Sequence, residues 1–327
     1  MSLIPSFRNL GRDNIRKATI IGSTRILPTR LRVSARKARL GALEVDIARR
    51  SSLIIIAHPK SGNTWLKVML TRLYARRHGI PESDFARYPA LADANPAIPS
   101  FAATNGWYSY ERAVGDLLQP GQQDAELAAK PVVLLARNPL DIAVSWFFQF
   151  TKRQSDHKQE LINAELSRPV DRRNIGMWEF VRQSEIGLPS LIAFLNYWDA
   201  ALGSLDRTLL TSYEELRTDP AGVLRKITTL MGDSFSEAEI DDAVEFASFD
   251  NLRKLESEGF FRSGGLTLRN ANDPESFKVR RAKVGGYRDY FDAQKVAELE
   301  ALVQRDLSPR LKALFGIDTP RDAATGQ

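Results

Sequence analysis

The sequence predicts an α/β fold in which a central parallel sheet is flanked by helices. Three apolar runs carry that expectation: Leu53–Ile56, Val132–Ala136 and Thr208–Thr211. The first two are continuous and aliphatic, as in strands buried on both faces, where the alternation of a half-exposed strand is lost. Each run passes into a short polar turn and then a helical pattern. The turns would therefore gather at the carboxyl rim of the sheet, where open α/β folds bind ligands.

A chain of 327 residues can bury a large core. Its 43% hydrophobic and 26% charged residues are those of a soluble globular protein. The absence of cysteine rules out a disulfide framework, a thiol nucleophile and a thiolate metal site. The histidines, His58, His78 and His157, have no metal-ligand spacing, so no metal is expected. No apolar stretch is long enough for a secretory signal or a membrane span, and cytoplasmic residence is the expectation.

The net charge of +6 is concentrated at one end: residues 1–50 hold twelve Lys/Arg against three Asp/Glu. Leu31, Ala35, Ala38, Ala42 and Val45 recur at helical spacing and predict an amphipathic helix within Pro28–Arg50. Its apolar face is mainly alanine, which favours packing on the main domain over deep membrane insertion. Peripheral contact with an anionic membrane surface or an acidic partner is the alternative that the charge leaves open. Without aromatic interleaving, nucleic acid is not an expected partner. The expected organisation is a basic extension over 1–50, a main domain over 51–316 and a flexible tail over 317–327.

After the first run, Pro59 ends the strand and Lys60-Ser61-Gly62-Asn63-Thr64 makes a tight polar turn. A helical pattern follows from Trp65, with Leu66, Met69, Leu70 and Leu73 on one face. Such a junction aims free N–H groups and the positive end of a helix at one spot, an anion cradle. Lys60 adds a full charge there, and Ser61 and Thr64 add hydroxyl donors. The order is not the G-x-x-x-x-G-K-[ST] of a nucleotide P-loop. After the second run, Arg137 would stand at a strand's carboxyl end with a planar fork suited to phosphate. Ser145, two helical turns on, would face the same anion.

Taken together, PKSGNTW and RNPLDIAVS resemble two elements of the sulfotransferases that use 3′-phosphoadenosine 5′-phosphosulfate (PAPS): the 5′-phosphosulfate loop and the RNPxDxxVS element that grips the 3′-phosphate. The resemblance runs from Ser52 to Phe291 and implies a P-loop-like sulfotransferase fold. It implies that PAPS is the co-substrate, held by Lys60, Ser61, Gly62, Asn63, Thr64 and Trp65 in the first element and by Arg137 and Ser145 in the second. Tyr213 and Phe249 stand where the family has residues near and against the adenine, with Trp65 as a third wall. Lys278–Phe291 is similar to the family's RKGxxGxWK-type segment, which closes over the co-substrate. Arg280, Arg281 and Ala282 fall on it, although Ala282 replaces a usual glycine and Gly286-Tyr287 replaces Asp-Trp. The preceding Gly259–Asp273, rich in Gly, Ser and Asn, is expected to be a lid.

The implied reaction is metal-independent, in-line transfer of a sulfuryl group to an acceptor hydroxyl or amine. Lys60 would stabilise the leaving phosphate, and family precedent has Ser145 tether it until acceptor binds. The general base stays open. No histidine lies between His78 and His157, and Asn105 of Thr104-Asn105-Gly106 stands near the family's usual histidine. Asparagine takes up no proton near neutral pH. A carboxylate such as Asp93, Glu111 or Asp116 is the favoured substitute. The others are His58, an acceptor acidic enough to need no base, or a catalytically impaired scaffold. The proline- and aromatic-rich stretch Arg76–Lys130 is expected to be an irregular part of the acceptor pocket. With Trp146-Phe147-Phe148, it points to an apolar or amphiphilic small-molecule acceptor. A P-loop kinase and a membrane-surface scaffold are the alternative functions.

Overall fold

The computed structural model describes residues 11–85, 91–106, 109–261, 266 and 284–317. Four parallel strands form the central sheet: β1 (Leu53–Ile56), β2 (Phe101–Thr104), β3 (Val132–Ala136) and β4 (Thr208–Ser212), in the spatial order β2-β1-β3-β4. Ile56 pairs with Thr104 on one side and Leu134 on the other, and Ala136 pairs with Ser212. All four strands therefore deliver their next residues to one rim. β1 and β3 are buried along their whole length, which is why they read as unbroken aliphatic runs.

Alternate strand residues feed two cores. Ile54, Ile56, Val132 and Leu134 share one with the helices Pro139–Phe148 and Leu188–Ala201. Leu53, Ile55, Val133 and Leu135 share the other with the helices Asn63–Arg77 and Pro220–Met231. The result is a helix–sheet–helix sandwich whose open carboxyl rim is the natural place for a ligand.

Two elements differ from the sequence reading. The stretch Arg76–Lys130, expected to be irregular, contains β2, the edge strand beside β1. Four residues, Phe-Ala-Ala-Thr, show neither a long apolar run nor a clear alternation, so their strand nature comes from pairing with β1. The described aromatics of that stretch, Phe85, Phe101 and Tyr110, are buried core residues; Tyr88, Trp107 and Tyr108 lie outside the described residues. The second is the stretch Asn174–Leu202, whose apolar pattern predicts one long helical stretch covering the sheet; it forms two helices, Met177–Arg182 and Leu188–Ala201. A tight turn separates them at Gly187, where a Cβ would lie 2.4 Å from the Val181 carbonyl oxygen.

The N-terminal region forms a helical hairpin, Arg12–Ser23 and Thr29–Arg50. The second helix buries Leu40, Leu43 and Ala48. Much of the basic charge is used internally. Arg36 is buried, donating to Thr24 Oγ1 (2.9 Å) and Ile21 O (3.2 Å), with Nη1 2.7 Å from Glu160. Arg32 also pairs with Glu160, Lys37 with Glu165, Lys17 with Glu44 and Arg49 with Asp124. At the tip, Ile26 and Leu31 are 89% and 60% exposed. No helix among the described residues is long and apolar enough to cross a membrane.

Candidate active site

The turn after β1 is shaped by its backbone. Lys60 and Gly62 have φ of 85° and 96°, both in the left-handed region. For a residue with a side chain that conformation costs about 1–3 kcal/mol, so Lys60 must be held by its surroundings. Arg137, directly after β3, does so: its Nη1 donates to the Lys60 carbonyl oxygen across 2.8 Å. Gly62 is required twice over, because a Cβ there would sit 2.7 Å from the Tyr213 ring. Gly62 is also the N-cap of the Asn63–Arg77 helix and supplies no side-chain cap. In the first turn the Trp65 N–H bonds back to Gly62 O at 2.9 Å, while the N–H groups of Asn63 and Thr64 have no backbone partner inside the helix. The buried Ser61 hydroxyl and Asn63 Oδ1 are likewise without hydrogen bonds. The Ser61 hydroxyl and the free N–H groups, beside a lysine and an arginine, are donors that an anion would complete, whereas Asn63 Oδ1 is an acceptor and calls for a donor.

A cavity of about 730 Å³ opens over this turn. Lys60, Gly62, Asn63, Thr64, Trp65, Arg137, Ser145, Tyr213 and Phe249 all line it, and the buried Ser61 lies within the turn. On the β4 side, the Trp65 and Tyr213 rings stand 6.1 Å apart at 64°, and Trp65 Nε1 donates to Ala247 O at 2.7 Å, next to the Phe249 helix. The Arg137 guanidinium stacks over Tyr213 at 4.3 Å. Ser145 makes no side-chain hydrogen bond to Lys60. Arg280, Arg281 and Ala282 lie outside the described residues, as does most of Gly259–Asp273. Asp141 fixes where the chain re-enters the site, accepting from the N–H groups of Gly285 (2.8 Å) and Tyr287 (3.2 Å).

The candidate bases separate clearly. Asp93 accepts from the Arg12 N–H, and Asp116 from Arg112 and Gln119; neither lines the cavity. His58 does line it, but burial pushes its imidazole pKa down to about 3, and its ring packs edge-on against Trp146 and Phe194. It is neutral and a poor base. Asn105 is buried just past β2, and its amide donates to the Glu111 carboxylate. Glu111 faces the cavity and pairs with Lys158 at 2.8 Å. Burial favours neutral Lys158, but Glu111 outweighs it and the ammonium pKa is raised. A carboxylate thus stands beside Asn105, bonded to its amide.

Sequence reasoning did not single out Lys158, Gln149 and Gln154 on the β2 side, or Arg217 and Arg253 beyond Tyr213, all of which line the cavity. None belongs to a local motif; they meet the site only through tertiary packing. Asp141 was part of the RNPLD phrase, and that phrase was its signal.

A family described as "Sulfotransferase domain" matches residues 50–312. The chain belongs to the sulfotransferase family. Curated relatives include cytosolic sulfotransferase 12 of Arabidopsis thaliana, 25% identical over 269 residues, covering 79% of this chain and 77% of that one. Cytosolic sulfotransferase 13 of the same plant is 26% identical over 276 residues, covering 80% and 78%. Among solved structures, mouse sulfotransferase SULT7A1 complexed with PAP, the desulfated product of PAPS, has a similar fold. Its TM-score is 0.52 at 18% identity, covering 85% of this chain and 91% of that one. Retinol dehydratase in complex with androsterone and PAP gives the same TM-score at 16% identity, covering 79% and 80%. This sulfotransferase is an enzyme of sulfuryl transfer with PAPS as donor, and the P-loop kinase alternative falls away.

Proposed function

We propose that the protein moves a sulfuryl group from PAPS to a hydroxyl of a small amphiphilic acceptor, with Glu111 as general base. The observation that carries this reading is Glu111 itself, facing the cavity while bonded to Asn105 and Lys158. PAPS supplies an activated sulfuryl group on a phosphate leaving group. Lys60 and the N–H groups of Gly62, Asn63 and Thr64 hold that phosphate and stabilise the charge it gains, each donor contributing about 3–4 kcal/mol in comparable oxyanion sites. Arg137 and Ser145 take the 3′-phosphate, joined by Arg280, Arg281 and the Ala282 N–H. Trp65, Tyr213 and Phe249 enclose the adenine. Glu111 receives the acceptor proton, and Lys158 and Asn105 hold its carboxylate in place.

The test is Glu111→Gln with 2-naphthol as acceptor and PAPS as donor. Losing a positioned base is expected to lower kcat by roughly 10²–10⁴, with PAP affinity unchanged. An unchanged kcat would exclude Glu111 as the base.

In this reading residues 51–316 are the catalytic domain, the basic extension packs on it through residues 11–50, and the protein resides in the cytoplasm. A second reading concerns the hairpin tip. Exposed Ile26 and Leu31 flanked by Arg25 and Arg30 suit peripheral contact with an anionic bilayer. Co-sedimentation with phosphatidylserine vesicles, lost at high salt and in Ile26→Ser/Leu31→Ser, would support it; equal sedimentation of the variant would exclude the tip.

A further inference from the structure

The cavity has two chemically different ends. Toward β4 it is aromatic, with Trp65, Tyr213 and Phe249. Beyond β2 lie Asn105 and Glu111, bonded to each other and through Glu111 to Lys158, and Gln149 and Gln154 line the same cavity. If the aromatic end takes the nucleotide, the acceptor meets a polar wall. We propose that this wall selects an acceptor carrying a second oxygen next to the hydroxyl that is sulfated, a vicinal diol or α-hydroxy carbonyl, and that Gln154 recognises that second oxygen. The proposal rests on the reading of Glu111 as base and specifies the acceptor of the same site.

The local fold builds this feature. After the Pro139–Phe148 helix the chain makes a π-helical turn, Gln149–Arg153, a wider winding that recurs at functional sites. The turn brings its first residue to the glutamine that follows it: Gln149 Nε2 donates to Gln154 Oε1 at 3.3 Å. The Gln154 backbone is fixed as well, because its carbonyl accepts from Arg172 at 3.0 Å. Gln154 is about nine-tenths buried, lines the cavity, and its Nε2 has no hydrogen-bond partner. A buried amide donor left unpaired carries a cost that a ligand oxygen removes. Glu111 differs: its carboxylate already accepts from Asn105 and Lys158 and serves the reacting hydroxyl. A mono-alcohol engages Glu111 and leaves Gln154 unpaired, whereas a vicinal diol engages both.

The experiment compares 1,2-octanediol with 1-octanol, which share a chain and differ by one vicinal hydroxyl. Initial rates are measured with PAPS, and thermal shifts are measured on the PAP-loaded protein, so that binding is read even where turnover is slow. The wild type is expected to favour the diol by about tenfold or more in kcat/KM, the equivalent of one buried hydrogen bond. The diol alone should stabilise the PAP-loaded protein. Gln154→Leu, and separately Gln154→Met, should reduce the preference to near unity while PAP affinity by calorimetry stays at the wild-type value. Equal use of the two alcohols, preference for 1-octanol, a response to neither, or a diol preference that survives both substitutions would overturn the proposal. Each of those outcomes with PAP binding intact leaves the sulfotransferase reading standing. Failure of the wild type to bind PAP would instead strike that reading.

Discussion

Arg137 reaches across from the end of β3 to hold the carbonyl oxygen of Lys60, 2.8 Å away. This bond joins the PKSGNTW and RNPLDIAVS segments of the sequence directly. It steadies a lysine whose backbone lies in the left-handed region, at φ 85°. The same guanidinium stacks on Tyr213, so one side chain ties the Lys60 turn to the aromatic wall of the cavity. The site is largely preorganised, which lowers the ordering cost of binding a highly charged nucleotide.

Gly62 is the least replaceable residue of the loop. Alanine there would have to adopt φ 96° and bring Cβ to 2.7 Å from the Tyr213 ring. Gly62→Ala is expected to lower stability by about 1–3 kcal/mol and to weaken PAP binding as Tyr213 is displaced. Denaturant unfolding and calorimetry read the two effects. A variant with wild-type values in both would mean that the loop and Tyr213 are not held together as described.

His58 gives the fold an acid sensitivity. Burial is the main cause that lowers its pKa from the usual 6.5 to about 3. The unfolded chain therefore takes the proton first. The stability from keeping His58 neutral is fully present above pH 6.5 and is lost as the pH falls toward 3, at about 1.4 kcal/mol per pH unit. His58→Phe should retain the packing on Trp146 and Phe194 and remove this dependence. The difference in unfolding free energy between the two proteins should be flat above pH 7 and should change with that slope between pH 6 and 4. A difference that does not vary with pH would contradict a buried neutral imidazole.

Arg36 and Arg32 both pair with Glu160, but only Arg36 is buried. Removing one partner of a buried pair strands the other, at a cost of about 3–5 kcal/mol, whereas exposed pairs contribute about 0–1 kcal/mol. Glu160 is itself partly exposed and keeps Arg32, so Arg36→Met should cost about 2–3 kcal/mol and Arg32→Met under about 1 kcal/mol. Equal losses in chemical denaturation would show that the hairpin is not docked through Arg36.

The sequence was most legible where function is local. β1 and β3 announce themselves because strands buried on both faces cannot hide their aliphatic runs. The two phosphate phrases follow them at once, so Lys60 and Arg137 could be named from neighbours alone. β2 was illegible because its four residues at the sheet edge need β1 to become a strand. The Glu111–Lys158 pair joins residues 47 positions apart, and no local pattern marks Lys158. The histidine absent near Asn105 was visible, and Glu111 stood among the candidates. Choosing it over Asp93, Asp116 and His58 required knowing which side chains face the cavity. Of the aromatics expected to line the acceptor pocket, the described Phe85, Phe101 and Tyr110 pack inward instead, and Gln149, Gln154 and Lys158, which no local pattern marks, line the cavity.

In the proposed function these two phrases build one site for a nucleotide bearing a 3′-phosphate. Calorimetric titration of PAP and of ATP, without added metal, into wild type and Arg137→Ala tests it most directly. The wild type is expected to bind PAP at least tenfold more tightly than ATP, and the substitution to abolish this preference by removing about 2–3 kcal/mol of charge-assisted bonding. Equal affinity for the two nucleotides, or PAP binding indifferent to Arg137, would contradict it.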